Sequence, residues 1–215
     1  MTPRSMEVRG GPAKAGSLLV LAVFLSAPSA ARAAAQTYEI DRSRSEVAFL
    51  IDHMVGKVRG KFTKFAGTIE GDPERPEGAS VEFRIQALSI NTGIPRRDDH
   101  LRGPDFFDAK VFPEIVFKSE KIVAHGKNLF DVHGPLTIHG ITKAIVLPVH
   151  FTRIPGARED VVRFNLELGL DRRDYGILWN RVLGRDGVLL GENVTVQIRL
   201  EARPASGKGE SSTAP

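Results

Sequence analysis

The chain has 215 residues, no cysteine and a formal net charge of +4 at pH 7. The lack of cysteine excludes a disulfide framework and thiol chemistry, so the fold must depend on its hydrophobic core. Basic and acidic side chains are interleaved along the chain, which indicates a mixed solvated surface and excludes the basic stripe of a nucleic-acid-binding protein.

The first segment, 1–35, is typical of a secretory signal. Three basic residues precede an apolar run over 18–25, and small residues follow it at 31–35. The run is shorter than the ~20 apolar residues of a membrane span, so we expect an exported chain with no stable membrane insertion. Without these 35 residues, which include four basic and one acidic side chain, the formal net charge is +1. An anchoring amphipathic helix is the alternative.

The rest of the chain alternates apolar and polar residues with a period of two. This pattern is typical of strands that bury one face and expose the other. It is clearest over four ranges, 80–87, 145–151, 162–170 and 193–200. Short turn segments at 71–73, 125–128, 139–140 and 155–156 separate predicted strands, which favours antiparallel neighbours. We count eight or nine strands and therefore predict an all-β fold.

The alternation breaks at 91–112. Charged residues and then phenylalanines in this segment predict short helical turns, the first capped by Asp98 or Asp99 and the second begun by Pro104. A phenylalanine-rich segment between two strands is expected to roof or plug the sheet. Residues 204–215 contain no large apolar side chain and predict a disordered tail. The predicted organisation is thus a signal segment 1–35, one β domain over 36–203 and a tail.

The alternation fits two architectures that differ in function. Two packed sheets would form a self-filled sandwich, suited to adhesion or assembly. A closed barrel of about eight strands can fill itself or hold one ligand, depending on strand tilt and stagger. The inward positions mix large side chains such as Phe83 with small ones such as Ala87, and this mixture does not choose between a filled and a hollow interior.

Four blocks of the sequence resemble the YceI-like family of periplasmic polyisoprenoid-binding proteins. They contain Tyr-Glu-Ile-Asp at 38–41, Arg-Asp-Asp-His-Leu-Arg at 97–102 with Asp-Phe-Phe at 105–107, Gly-Pro-Leu-Thr-Ile-His-Gly at 134–140, and Asp-Arg-Arg-Asp-Tyr-Gly at 171–176. The sequence departs from the family pattern at Pro135 and Ala144, both in one hairpin. The resemblance extends from Tyr38 to about Ala202.

The resemblance implies an antiparallel eight-stranded lipocalin-like barrel with a short helical segment over one region. It also implies a periplasmic protein that binds a long isoprenoid lipid (a quinone, a prenyl phenol or similar) in an apolar tunnel, pairs as a homodimer and carries no cofactor besides that lipid. An isoprenoid presents only methyls and alkenes, so a tunnel binds it by removing apolar area from water, at about 25 cal/mol per Å².

Thirteen residues are predicted to line the tunnel, with ordinary core packing as the alternative for each. They are Phe49, Ile51, Phe62, Phe83, Ile85, Leu101, Phe106, Phe107, Phe117, Leu136, Ile138, Leu166 and Trp179. Four polar residues are predicted to form a cluster that contacts a lipid head group or fastens the 91–112 segment to the barrel: His53, Arg97, Asp98 and His100.

A second functional hypothesis is a small hydrolase or isomerase that acts on a hydrophobic substrate. His100 and Asp98 would be its acid/base pair. Against it, the sequence has no Gly-x-Ser-x-Gly elbow and no cysteine nucleophile. The histidines also lack the spacing of a zinc site. We therefore expect no catalytic residue and no metal.

Overall fold

A computed structural model describes residues 36–54, 56–72, 75–154, 161–180 and 190–205. Twelve strands and one α-helix, α1 (Pro95–Arg102), are formed by these residues. The strands are β1 (Gln36–Ile40), β2 (Glu46–His53), β3 (Gly56–Phe62), β4 (Phe65–Asp72), β5 (Arg75–Gln86), β6 (Ile90–Asn91), β7 (Glu114–Lys118), β8 (Lys121–Ala124), β9 (Leu129–Ile138), β10 (Ile141–Ile154), β11 (Val161–Asp171) and β12 (Leu190–Pro204).

The sheet closes on itself. Strands β1, β4, β5, β7, β9, β10, β11 and β12 pair in that order, and β12 pairs again with β1. Every pairing in this ring is antiparallel. The ring confirms the predicted eight-stranded antiparallel barrel and differs from the two-sheet sandwich.

The remaining strands extend this ring. One edge of β12 pairs first with β2 and then, at its end, with β1. β3 and β6 continue the sheet beyond β2, and β8 adds to β9. A 3₁₀ turn, Arg42–Arg44, separates β1 from β2, so the two strands form one bent strand. Similar short breaks separate β3 from β4, β5 from β6 and β7 from β8, so the twelve strands form eight long ones.

The strand positions that face the barrel interior are apolar, as the alternation in the sequence predicts. In β5, Phe83 and Ile85 are buried. The alternate residues Glu82 and Arg84 form an ion pair on the outer face of the barrel. In β12, the alternate residues Val196, Ile198 and Leu200 also face inward. A strand with one buried face and one solvent-exposed face exposes every second side chain, and this geometry produces the period of two.

The helix begins earlier than the sequence predicts. Pro95 is its first residue and Ile94 its N-cap, so the predicted caps Asp98 and Asp99 are wrong. Proline fixes φ and has no N–H to satisfy, which favours the first helical position. The second predicted helical turn, at Pro104, is present as hydrogen-bonded turns, in which the Phe106 N–H donates to the Gly103 carbonyl at 3.1 Å.

The sequence predicts a signal segment and a disordered tail at the two ends of the chain. β12 ends at Pro204, and the Ala205 N–H donates to the Thr37 carbonyl at 2.8 Å. The predicted signal segment 1–35 and the residues 206–215 of the predicted tail lie outside the described residues. Both stay predictions.

A close approach of two strands requires glycine at position 134. At Gly134 the pairing partner of β9 changes from β8 to β7. A Cβ on Gly134 would overlap the Lys118 carbonyl oxygen. We expect Gly134→Ala to lower the free energy of unfolding by roughly 2–4 kcal/mol and the melting temperature by roughly 5–10 °C. Gly169→Ala in β11 is the control, since nothing lies within 4 Å of the added Cβ. Equal melting temperatures for the two variants would contradict the expectation.

Candidate functional site

The barrel encloses a long cavity with a volume of about 760 Å³. Side chains from every strand of the ring line it, and nearly all of them are aliphatic or aromatic. All thirteen residues that the sequence predicts as tunnel lining face this cavity. The interior is therefore hollow, and its wall is suited to an apolar ligand.

The wall also includes apolar residues that the sequence analysis did not select. They belong to the same inward parity and could have been found by continuing the alternation through each strand: Ile145, Leu147, Val149, Leu168, Val194, Val196, Ile198 and Leu200. Tyr175 and Arg172 also line the cavity, and alternation could not have found them because both lie in a 3₁₀ turn.

Polar side chains are concentrated at the end of the cavity beside α1. We call this end the helix mouth and define it by six lining residues: His53, Ile94, Arg96, Arg97, His100 and Trp179. The opposite end, at the turn between β4 and β5, is lined by Gly71, Pro76 and Ala79 together with Asp72, whose carboxylate pairs with Arg75 at 3.0 Å. Among the described lining residues, the arginines and histidines thus lie at or beside the helix mouth.

Three aromatic rings meet at the helix mouth. The ring centroids of His100, Phe106 and Trp179 lie 5.0 to 5.1 Å apart. His100 meets both partners edge to face, a favoured arrangement for aromatic pairs. This cluster joins α1 and the turn after it to the segment that follows β11.

The polar residues predicted at α1 have separate partners. The Asp98 carboxylate accepts hydrogen bonds from the N–H and the hydroxyl of Thr92. Arg97 donates to the Thr92 hydroxyl at 2.7 Å and to its carbonyl at 3.0 Å. His100 lies 2.9 Å from Asp105. The pairing of His100 with Asp98 required by an acid/base mechanism is therefore absent from the described residues.

His53 lies across the helix mouth from α1. It is the last residue of β2 and pairs with Leu190 of β12 and Gly56 of β3. Its side chain lines the cavity together with Arg97 and His100, whereas Asp98 does not. Three of the four residues in the predicted polar cluster thus share the helix mouth, and Asp98 is buried behind it.

Comparison with known proteins identifies the family. The YceI-like domain model matches residues 38–202. The chain belongs to the YceI family. A UPF0312 protein of Vibrio cholerae is 32% identical over 163 residues, which cover 73% of this chain and 85% of that protein.

Two solved structures resemble the fold. The crystal structure of BcnA from Burkholderia cenocepacia has a TM-score of 0.67 and 26% identity, and the match covers 75% of this chain and 98% of that one. A polyisoprenoid binding domain from Saccharophagus degradans, implicated in plant cell wall breakdown, has a TM-score of 0.63 and 18% identity. That match covers 79% of this chain and 99% of the domain.

A buried arginine holds the wall of this YceI-family barrel beside the helix mouth. Arg172 is 6% exposed and donates to three backbone carbonyls, those of Gly191, Ile177 and Trp179, at 2.6 to 2.9 Å. Burial lowers the pKa of Arg172, since a desolvated guanidinium is less stable in its charged form. Arg172 thereby fixes the segment that carries Trp179 against the start of β12.

The turn that presents Arg172 is capped by an aspartate. The Asp171 carboxylate accepts the Arg173 N–H at 2.9 Å and also binds the Arg173 guanidinium. These hydrogen bonds lower the pKa of Asp171 to about 2. The carboxylate is therefore ionised at neutral pH and can act as an acceptor for both groups.

The described residues offer no group of three or more His, Asp or Glu side chains arranged to hold a metal ion. In the same part of the chain, α1 is too short and too polar to cross a membrane.

Proposed function

We propose that this YceI-family protein binds a long-chain isoprenoid lipid, such as a quinone or a prenyl phenol, inside the barrel. The observation that carries the proposal is the 760 Å³ apolar cavity that runs through a closed barrel. A lipid chain in this cavity leaves water along its whole length, which is worth about 25 cal/mol per Å² of apolar surface. Binding by area alone needs many apolar residues and no reactive one.

The arginines and histidines at the helix mouth favour one orientation of the bound lipid. The isoprenoid chain would extend along the apolar wall of the barrel, past Phe83 and Phe117. Its head group would lie at the helix mouth, within reach of His53, Arg97 and His100. Support for the ligand class comes from the Saccharophagus degradans structure, which is described as a polyisoprenoid binding domain.

The proposal is a binding function, not catalysis. The His100–Asp98 pair of the alternative hydrolase or isomerase is not assembled in the described residues, because Asp98 binds Thr92 and His100 binds Asp105. We further propose that the segment 1–35 directs the protein to the periplasm, where it carries or stores the lipid. Cell fractionation with an antibody against the barrel tests this location.

We also propose that two barrels pair as a homodimer, because the resemblance to the YceI-like family implies this assembly. Strands after residue 170 would supply the interface. Light scattering of the purified protein measures the mass of the particle and distinguishes one chain from two.

Two measurements test the lipid. Organic extraction of the purified protein, followed by mass spectrometry, is expected to release close to one isoprenoid per barrel. Trp179 is the only tryptophan in the sequence and lies at the helix mouth, so titration of emptied protein with a quinone is expected to quench its fluorescence. Protein that yields no lipid and takes up no quinone would contradict the proposed function.

A further inference from the structure

Large apolar side chains are exposed around the helix mouth. Met54 is 60% exposed, Ile94 50% and Leu178 67%. These three residues, which we call the apolar collar, are among seven large apolar side chains exposed in the described part of the chain. Water contact at this many apolar atoms is unfavourable, so a cluster of them at one opening marks an interaction surface.

The topology brings the three collar residues to the same end of the barrel. Met54 directly follows His53, which lines the helix mouth and pairs with Leu190 of β12. Leu178 directly precedes Trp179, and Asn180 beyond it makes two hydrogen bonds with the backbone of Leu190. Ile94 is the N-cap of α1 and itself lines the cavity.

Two arginines of the helix mouth, Arg96 and Arg97, have no carboxylate partner among the described residues. Two nearby carboxylates pair with other cations, Asp52 with Lys57 and Asp99 with Arg102. Arg96 is exposed, and in the described ranges no carboxylate lies within ion-pair distance of it. Among the described residues, Arg97 donates to the hydroxyl and carbonyl of the uncharged Thr92. An anionic surface would therefore complement the helix mouth.

We propose that the apolar collar and Arg96 dock the helix mouth onto the surface of an anionic phospholipid membrane. This inference rests on the proposed lipid-binding function and adds the surface through which the lipid would enter the barrel. A free isoprenoid that crosses water exposes its whole apolar surface, whereas a docked mouth offers a continuous apolar path from bilayer to cavity. Apolar contact supplemented by attraction to anionic head groups is how peripheral proteins bind membranes.

Substitution of two collar residues tests the docking. Met54→Ser with Leu178→Ser changes exposed residues that do not line the cavity. We expect this variant to bind vesicles of equimolar phosphatidylglycerol and phosphatidylethanolamine about tenfold more weakly, or worse, in a sedimentation assay. The rate of quinone uptake from those vesicles should fall by a similar factor. Quinone delivered from detergent should bind as it does to the unchanged protein.

The control is Val146→Ser, which removes an exposed apolar side chain from the outer face of β10, away from the helix mouth. All variants carry the same segment 1–35, so any contribution of that segment to vesicle binding is shared. Arg96→Gln tests the charge and should weaken binding about fivefold on the anionic vesicles, with no change on vesicles of phosphatidylcholine alone.

Three results would overturn the docking proposal. Equal vesicle binding by the collar variant and the unchanged protein shows that the collar does not contact the bilayer. A change in the mass of the particle on substitution of Met54 and Leu178 shows that a second copy covers the collar. Equal losses in the collar variant and in the control show a nonspecific effect. In each case normal quinone binding from detergent leaves the proposed function standing.

Discussion

Replacing Leu147 and Leu166 with tryptophan is expected to expel the lipid from the barrel without unfolding it. The two leucines lie on neighbouring strands, β10 and β11, and both face the cavity. The cavity of about 760 Å³ leaves room for the larger rings, so little strain should result. Each indole that displaces roughly 60 Å² of ligand contact should weaken binding about tenfold. Retained lipid after extraction and the quinone affinity measure the effect.

The control for this variant uses the adjacent positions on the same strands. Val146→Trp with Glu167→Trp places the indoles on the outer face of the barrel, where both side chains are exposed. Lipid content should stay near that of the unchanged protein. If the inward and outward variants retain the same lipid, the interior does not hold the ligand and the proposed function fails.

Arg172→Met is expected to produce the largest loss of stability among conservative changes at the helix mouth. Methionine keeps much of the apolar stem but removes three charge-assisted hydrogen bonds, so the buried or part-buried carbonyls of Gly191, Ile177 and Trp179 lose this donor. We expect the free energy of unfolding to fall by about 3–5 kcal/mol and the melting temperature by roughly 10 °C. Trp179 emission should shift to the red as its segment loosens.

The neighbouring arginine is the control for this change. Arg173 is exposed and pairs with Asp171 and Glu192 at the surface. Surface ion pairs contribute about 0–1 kcal/mol, so Arg173→Met should leave both the melting temperature and the Trp179 emission nearly unchanged. A similar loss in both variants would mean that the turn, and not the buried guanidinium, holds the segment.

The barrel wall was predictable because one rule governs it. A strand with one wet face must alternate, so residues such as Phe83 and Leu166 could be assigned to the interior from parity alone. The hollow interior was not predictable in this way, because tilt and stagger decide how far apart opposing side chains lie. The same inward residues could have filled a narrower barrel.

Features outside the strands were harder to predict because no periodicity marks them. Arg172 lies among several charged residues, and its burial follows from the carbonyls that converge on it from β12 and the segment after β11. Asp98 was assigned as a helix cap because aspartate is common there. Its carboxylate instead binds Thr92 from within the helix, a contact that depends on the path of the preceding chain.

The pairing of β1 with the end of β12 determines when this protein can finish folding. Tyr38 lies opposite Pro204, so nearly the whole described chain separates the two residues that close the ring. Contacts of such long sequence separation form slowly. The barrel cannot close until its last strand has been synthesised, and a chain that closes so late is available in an open form for passage through a membrane. The proposed export to the periplasm would then precede the closure of the barrel.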